Sequence, residues 1–202
     1  MMNPPERRSA TDQRAPRRRA EQQVGSEGLW IFVFIDMVIF TLIFFVFMTE
    51  RLGDYAAFKA SQAHLNEWFG LFNALVLLTS SWLVVEALDA ARSAHPARVA
   101  SRLALALLCG ALFVLSKFIE YRAKIAAGFS PATNPFFSFY FFITFVHFLH
   151  VVAGMICINS CRRRSVRCVD VPAYTTGLEN VGVFWHYVDV LWIFIFPLLY
   201  LV

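Results

Sequence analysis

Near its end the chain reads Phe184-Trp185-His186-Tyr187-Val188-Asp189-Val190-Leu191-Trp192-Ile193-Phe194, inside a stretch, 181–202, that is apolar along most of its length. As a helix rising 1.5 Å per residue, that stretch is about 33 Å long, which is enough to span a bilayer. His186 and Asp189 interrupt it one helical turn apart, on one face. Because a carboxylate is costly in hydrocarbon, we expect both side chains to face protein and to find partners there.

The composition also places the chain in a membrane. It has 202 residues, of which 58% are hydrophobic and 22 are phenylalanine, whereas soluble domains are about 45–50% apolar. The formal net charge of +4 reflects arginines concentrated outside the apolar runs. This charge therefore bears on topology, and we expect no nucleic-acid partner.

The four cysteines predict neither a disulfide framework nor a zinc site. They form no Cys-x-x-Cys pair, and three lie in or beside one predicted helix. We expect them to be reduced or packing residues. They are Cys109, Cys157, Cys161 and Cys168.

The apolar periodicity predicts an all-α, polytopic membrane protein with a bundle of five transmembrane helices. The connections are short, apart from a first loop over about 50–68 that has the composition of a surface helix. Pro96 marks the second connection, and Pro172 with Gly177 marks the fourth. The predicted spans are about 28–49, 69–91, 99–122, 136–160 and 180–202.

The first 26 residues predict a disordered, basic, cytoplasmic tail. They contain six arginines and three prolines and show no apolar period. The following run, Leu29–Met48, is too long for the apolar core of a signal peptide and lacks a convincing cleavage site. We therefore expect an uncleaved first span, with a single membrane domain over 27–202.

Positive charge is distributed unequally between the two sides. With the N-terminus inside, thirteen Arg and Lys residues fall in inner segments and four fall in outer segments, while Lys117 lies within a span. Inner segments carry this excess in membrane proteins. We predict a bacterial inner (plasma) membrane protein with a cytoplasmic N-terminus and a periplasmic C-terminus.

Ionisable residues inside the spans are the candidate functional residues. Asp36, His150 and Asp189 lie about eight to ten residues from the inner ends of their spans, at a common level. We expect Asp36 to hydrogen-bond to a histidine across helices, His150 first, and His186 and Asp189 to satisfy each other or a neighbouring helix. The embedded set is Asp36, Glu86, Lys117, Glu120, His147, His150, His186 and Asp189.

Two interpretations of this set are open. His147 and His150, at i and i+3, could bind a metal with Glu120, His186 and Asp189, or all could form an interhelical hydrogen-bond network, which we favour. The histidines are too few for haem and copper centres, and no Cys-x-x-Cys-His motif is present. We therefore expect no cofactor, no metal and no catalytic residue.

Lys117 and Glu120 are one turn apart near an end of the third span and are expected to pair. The tryptophans are assigned to the membrane interface or to lipid contact. These are Trp30, Trp68, Trp82, Trp185 and Trp192.

Four segments, in order over about 28–202, carry a resemblance to subunit III of haem–copper oxidases. The final helix, 184–192, resembles that family's signature, and 28–36 resembles its first core helix, which has an acidic residue at the position of Asp36. Glu120-Tyr121 resembles a glutamate–tyrosine helix end, and 144–154 resembles a paired-histidine helix. In that helix Val146 and Phe148 stand where the family usually has glycine.

The chain matches the five-helix form of the family, which lacks the first two of seven helices. This form occurs in quinol oxidases and in an accessory protein associated with nitric oxide reductase. The runs 120–128 and 133–137 look more like the nitric-oxide-reductase accessory branch.

The resemblance implies a subunit of a respiratory electron-transport or denitrification complex that has no redox centre of its own. It would pack on the catalytic subunit of a haem–copper oxidase or nitric oxide reductase, bind phospholipid, and support assembly and sustained turnover. Two other functions are open: a membrane metalloenzyme using His147, His150, His186 and carboxylates, and a proton or solute conductor.

Overall fold

A computed structural model describes residues 25–165 and 171–201, and over these ranges the chain is helical apart from short turns. Most of the predicted tail, Cys168 and Val202 lie outside the described residues. The helices are α1 (Glu27–Gly53), α2 (Tyr55–Gln62), α3 (Glu67–Arg92), α4 (Pro96–Ala126), α5 (Pro135–Ser165) and α6 (Val171–Phe196), followed by a π-helical turn (Pro197–Leu201).

The predicted all-α membrane fold is confirmed. Within the described ranges, five helices are long and apolar enough to cross a membrane, namely α1, α3, α4, α5 and α6 with its π turn. The predicted surface helix in the first loop is α2. Its first turn is capped by the Asp54 side chain, which accepts a hydrogen bond from the Ala57 amide.

The prediction that Pro172 and Gly177 mark a connection is wrong. The last helix begins at Val171, nine residues before the predicted start at 180. Pro172 is compatible with this because a first-turn residue has no intrahelical acceptor for its amide, so a missing N–H costs little there. Gly177 then lies within the helix, with open space around it.

Four helices form the core of the bundle. α3 packs against α4 and α6, and α5 packs against the same two helices, whereas α1 makes fewer contacts, with α5, α6 and α2. In the most apolar window of α1, 17% of the residues are buried, against 33–39% in the other four spans. α1 is therefore the most loosely held span.

Glycines bring the core helices close together. The edge of the Trp185 ring occupies the space in which a side chain at Gly154 would lie, and Phe196 fills the corresponding space at Gly70. The Trp192 indole N–H also donates to the Gly70 carbonyl at 3.2 Å. Large aromatic side chains of α6 thus fit against bare backbone on α5 and α3, as in many membrane helix contacts.

One end of the bundle is rich in arginine and is braced by ion pairs. Arg92 of α3 bonds Glu179 of α6 at 2.9 Å, and Arg102 of α4 lies 2.9 Å from Glu86 of α3. We call this the arginine-rich end. α2 lies at the opposite end, where it packs on α1 and α5.

Candidate functional site

Asp36 of α1 lies against two side chains of the core bundle. Its Oδ2 accepts a hydrogen bond of 2.7 Å from the phenol of Tyr187 on α6 and lies 3.3 Å from Nε2 of His150 on α5. All three side chains are partly buried. His150 is thus the histidine beside Asp36, as predicted, although the hydrogen bond that Asp36 accepts comes from Tyr187. Together the two contacts join α1 to α5 and α6.

The second ring nitrogen of His150 bonds to the backbone of its own helix. Nδ1 lies 2.8 Å from the carbonyl oxygen of Val146, one turn earlier on α5. A carbonyl only accepts hydrogen bonds, so Nδ1 carries a hydrogen. Nε2 is then the ring nitrogen that faces the Asp36 carboxylate, at 3.3 Å. The imidazole thus links the backbone of α5 to the side chain of Asp36 on α1.

Ser81 of α3 is the partner of His186. Its hydroxyl shares a hydrogen bond with Nδ1 of that ring, and the same hydroxyl lies close to the carboxylate of Asp189. Neither oxygen of Asp189 makes a hydrogen bond of ordinary geometry with a described residue, although the side chain is buried. Nδ1 of His186 thus has a partner on a neighbouring helix, as predicted, and Asp189 approaches the same Ser81 hydroxyl on that helix.

The His147 ring packs between two aromatic rings. Its ring centroid lies 5.5 Å from that of Phe113 and 5.1 Å from that of Trp192. The ring is fully buried, and neither of its nitrogens has a hydrogen-bond partner in the described part of the chain. The two histidines at i and i+3 therefore have different surroundings, since His150 faces α1 and His147 packs in the core.

Lys117 and Glu120 form a buried ion pair, as predicted. Nζ lies 2.7 Å from Oε2, and the two side chains are 1% and 3% exposed. Tyr200, in the π turn, completes the cluster. Lys117 Nζ donates to the phenol oxygen at 2.8 Å, and the phenol donates to Glu120 Oε1 at 2.8 Å. The last residues of the chain are thereby fixed to α4.

Aromatic rings surround the Lys117 ammonium group. Nζ lies 4.7 Å from the ring centroid of Trp192, 5.4 Å from that of Tyr200 and 5.5 Å from that of Tyr140. Cation–π attraction and two polar partners together replace the water that the ammonium group loses on burial. A membrane-embedded charge of this kind is tolerated because every side of it has a partner.

The three candidate histidine ligands lie in separate places. Over residues 25–165 and 171–201, no three His, Cys, Asp or Glu side chains are grouped so as to hold a metal ion. His150 faces Asp36, His186 faces Ser81, and His147 lies between aromatic rings. The expectation that the purified chain binds no metal stays a prediction.

The assignment of all five tryptophans to lipid or interface is corrected for two of them. Trp185 and Trp192 are fully buried, because Gly154 and Gly70 leave room for their rings. Trp30, Trp68 and Trp82 are 50%, 76% and 57% exposed. Trp82, however, lies ten residues before the end of α3 at Arg92, about 15 Å along the helix. It is therefore not at a span end, where interfacial tryptophans concentrate.

A groove of about 460 Å³ opens on the outer surface between α4 and α5. Its walls are almost wholly apolar and include Phe118 on one side and Phe145 and Phe148 on the other. Phe148, which stands where the family usually has glycine, thus lines the groove. The groove has the volume and the apolar lining for a hydrocarbon chain.

Sequence reasoning missed three polar contacts: Tyr187 on Asp36, Ser81 on His186, and Tyr200 on the Lys117–Glu120 pair. A tyrosine or serine in an apolar helix carries no charge that demands a partner, so nothing distinguishes it from a packing residue. The sequence offered one indication, namely that Tyr187 is next to His186, a candidate residue.

Known proteins resemble the chain over nearly its whole length. The profile of the family described as "Cytochrome c oxidase subunit III" matches residues 18–202. The chain is 29% identical over 174 residues to "Cytochrome bo(3) ubiquinol oxidase subunit 3" of Pseudomonas putida, covering 86% of this chain and 84% of the relative. It is 27% identical over 196 residues to "Cytochrome c oxidase subunit 3" of Corynebacterium diphtheriae, covering 95% and 96%. It is also 27% identical over 190 residues to "Probable quinol oxidase subunit 3" of Staphylococcus aureus (strain USA300), covering 92% of each.

Proposed function

The chain belongs to the cytochrome c oxidase subunit III family, and we propose that it is a non-redox subunit of a respiratory haem–copper complex in the bacterial inner membrane. In this role it supports assembly, lipid binding and sustained turnover of the catalytic subunit. Relatives that the chain resembles in sequence are named as subunits of cytochrome c and quinol oxidases.

The observation that carries the proposal is that two clusters of embedded polar residues hold helices together. Asp36 joins α1 to α5 and α6, and Lys117 with Glu120 joins α4 to the chain's end. A bundle whose intramembrane charges are used in this way is suited to a rigid scaffold beside a catalytic subunit. It is less suited to a conduction path, which needs polar groups that remain accessible along it.

The test compares complexes with and without the chain. The catalytic subunit is purified from the native host and from a strain that lacks this chain, and substrate consumption is followed through many turnovers. We expect similar initial rates, a faster loss of activity without the chain, and recovery when the chain is restored. Equal lifetimes in both preparations, or failure of the wild-type chain to copurify with a haem–copper subunit, would contradict the proposal.

We propose that a phospholipid acyl chain occupies the groove between α4 and α5. Support comes from its apolar walls and from its position between two helices that are long and apolar enough to span a membrane. Phe148→Trp would fill part of this space. Mass spectrometry of the detergent-solubilised complex should then find less retained phospholipid than in the wild type, whereas the matched change Phe142→Trp, at an exposed α5 position outside the lining, should retain it.

The identity of the catalytic partner distinguishes the branches of the family. The nitric-oxide-reductase accessory branch stays a prediction that rests on the runs 120–128 and 133–137. Haem analysis and peptide sequencing of the subunit that copurifies with a tagged chain separate a cytochrome c oxidase, a quinol oxidase and a nitric oxide reductase.

Elemental analysis addresses the metalloenzyme alternative. We expect less than one haem, copper, iron or zinc per chain in the purified subunit, because the three intramembrane histidines have separate surroundings. One metal per chain, lost on changing His147 or His150, would favour the metalloenzyme.

A further inference from the structure

We propose that the face of the bundle around His186 is the surface that docks on a transmembrane helix of the catalytic subunit, through a hydrogen bond to the outer nitrogen of that ring. The proposal deepens the proposed function, on which it rests. We call this surface the His186 face. It consists of Leu78, Trp82 and Val85 on α3, and His186, Val190 and Ile193 on α6.

His186 lies at mid-height in its span. The last apolar helix with its π turn covers Val171–Leu201, and His186 is fifteen residues from each end, or about 22 Å. Ser81, its partner, lies near the middle of α3. The ring is only partly buried, so one of its edges reaches the outer surface at the depth of the bilayer core.

The imidazole has an unmet hydrogen-bonding requirement on its outer edge. Nδ1 shares its hydrogen bond with Ser81. In a neutral ring one nitrogen donates and the other accepts, so Nε2 needs a partner in either tautomer. No described residue hydrogen-bonds to Nε2, and lipid chains offer neither donors nor acceptors. A side chain on another protein's helix can supply the missing group.

The exposed residues of α6 near His186 form one strip on the surface of the bundle. On α6, Gly182 and Asp189 face α3 and are buried, while Tyr187 faces α1. Val190 and Ile193 lie between these two lines of contact and are exposed. His186 shares their side of the helix, since it precedes them by four and seven residues. The exposed strip of α6 therefore runs between α1 and α3.

The α3 half of this surface has the composition of a protein interface. Leu78, Trp82 and Val85 are exposed and follow each other at helical spacing of four and three residues. Val85 lies one turn from Ser81, on the same side. Trp82 is away from the span end, where lipid headgroups would explain a tryptophan, and tryptophan is enriched among residues that dominate binding energy. An apolar surface with a polar centre and a central tryptophan fits a protein helix better than lipid.

Site-specific photocrosslinking in native membranes tests the docking face. A benzophenone amino acid replaces Leu78 or Val190, and controls carry it at Leu108 on α4 or Leu149 on α5, which are exposed near mid-span. We expect the first two positions to crosslink to a transmembrane peptide of the catalytic subunit, and the controls to crosslink weakly or not at all. Adducts with lipid alone, crosslinks between copies of this chain, or equal crosslinking from the controls would overturn the inference.

Two substitutions test the hydrogen bond. Since interhelical hydrogen bonds in membranes are modest, His186→Leu should reduce the copurified catalytic subunit about 3- to 30-fold at an equal level of inserted chain. His186→Gln, which keeps a hydrogen-bonding group, should reduce it less. If both variants retained as much catalytic subunit as the wild type, the role of the ring would be overturned. If His186→Leu fails to insert, the crosslinking experiment still tests the face, because it uses a chain with His186 intact.

The outcomes separate this inference from the proposed function. If the catalytic subunit copurifies but crosslinks from another face, the docking surface is wrong and the proposed function stands. If no haem–copper subunit copurifies with the wild-type chain, both fail.

Discussion

Tyr187 donates a 2.7 Å hydrogen bond to Oδ2 of Asp36, the same oxygen that lies 3.3 Å from His150. A single carboxylate oxygen thus joins α1 to α5 and α6. The remainder of α1 is largely exposed apolar surface, so hydrophobic packing within the chain holds it weakly. In a membrane, where burial against another helix gains little over burial in lipid, such polar contacts carry a larger share of helix association.

Asp36→Ala should therefore loosen α1 without preventing insertion. Loss of both contacts is expected to cost about 1–2 kcal/mol of stability, measured as the midpoint of unfolding in mixed detergent. Asp36→Asn should cost less, because its amide oxygen still accepts a hydrogen bond from Tyr187. Ile39→Ala, at an exposed position three residues away on α1, is the matched control and should change little. Equal stability of Asp36→Ala and the wild type would show that the contact does not hold α1.

The sequence was sufficient to predict that five membrane spans exist, because each has the length and apolar composition that a bilayer demands. Pairs such as Lys117–Glu120 and Asp36–His150 were also predictable, since a charge at membrane depth must face a partner and the depth of each residue follows from counting along its helix. The start of α6 at Val171 was not, because Pro172 and Gly177 read as a turn when the surrounding helix contacts are unknown.

The other contacts that the sequence did not predict involve uncharged residues. The burial of Trp185 and Trp192 depends on which glycine lies opposite, on α5 and on α3. Helix pairing and rotation decide that contact, and neither follows from the periodicity of one helix. The same holds for Ser81 and Tyr200, whose hydroxyls became significant only when the fold placed them beside a charge or a histidine.

Gly154→Ala should destabilise the contact between α5 and α6. The added Cβ would lie 2.5 Å from Cε3 of Trp185, a ring held on all sides in the core. Overpacking of this kind typically costs about 1–3 kcal/mol. Gly177→Ala, on α6 with open space around it, is the control and should be neutral or stabilising by up to about 1 kcal/mol. Thermal unfolding of the two variants in detergent, followed by tryptophan fluorescence, makes the comparison, and equal midpoints would contradict the close packing.

The charge distribution predicts a cytoplasmic N-terminus and a periplasmic C-terminus, because segments rich in Arg and Lys remain inside. A reporter that is active only in the periplasm should be active after Val202 and in the 127–134 turn. It should be inactive when inserted in the 93–95 turn at the arginine-rich end. A reporter that is active only in the cytoplasm should give the opposite pattern. Periplasmic activity from the 93–95 fusion would reverse the orientation of the whole bundle.

Lys117 and Glu120 should be strongly coupled in a double-mutant cycle. Lys117→Met leaves the Glu120 carboxylate buried without its cation, and Glu120→Leu leaves a buried ammonium group, so each change should cost about 3–5 kcal/mol of stability. Lys117→Met with Glu120→Leu removes both charges and should cost much less than the sum, as measured by unfolding in mixed detergent. Glu179→Gln removes the negative charge from the Arg92 ion pair, in which Arg92 is half-exposed, and should cost below about 1 kcal/mol. Additive losses from Lys117 and Glu120 would mean that the two side chains stabilise the bundle independently, contrary to the 2.7 Å contact between them.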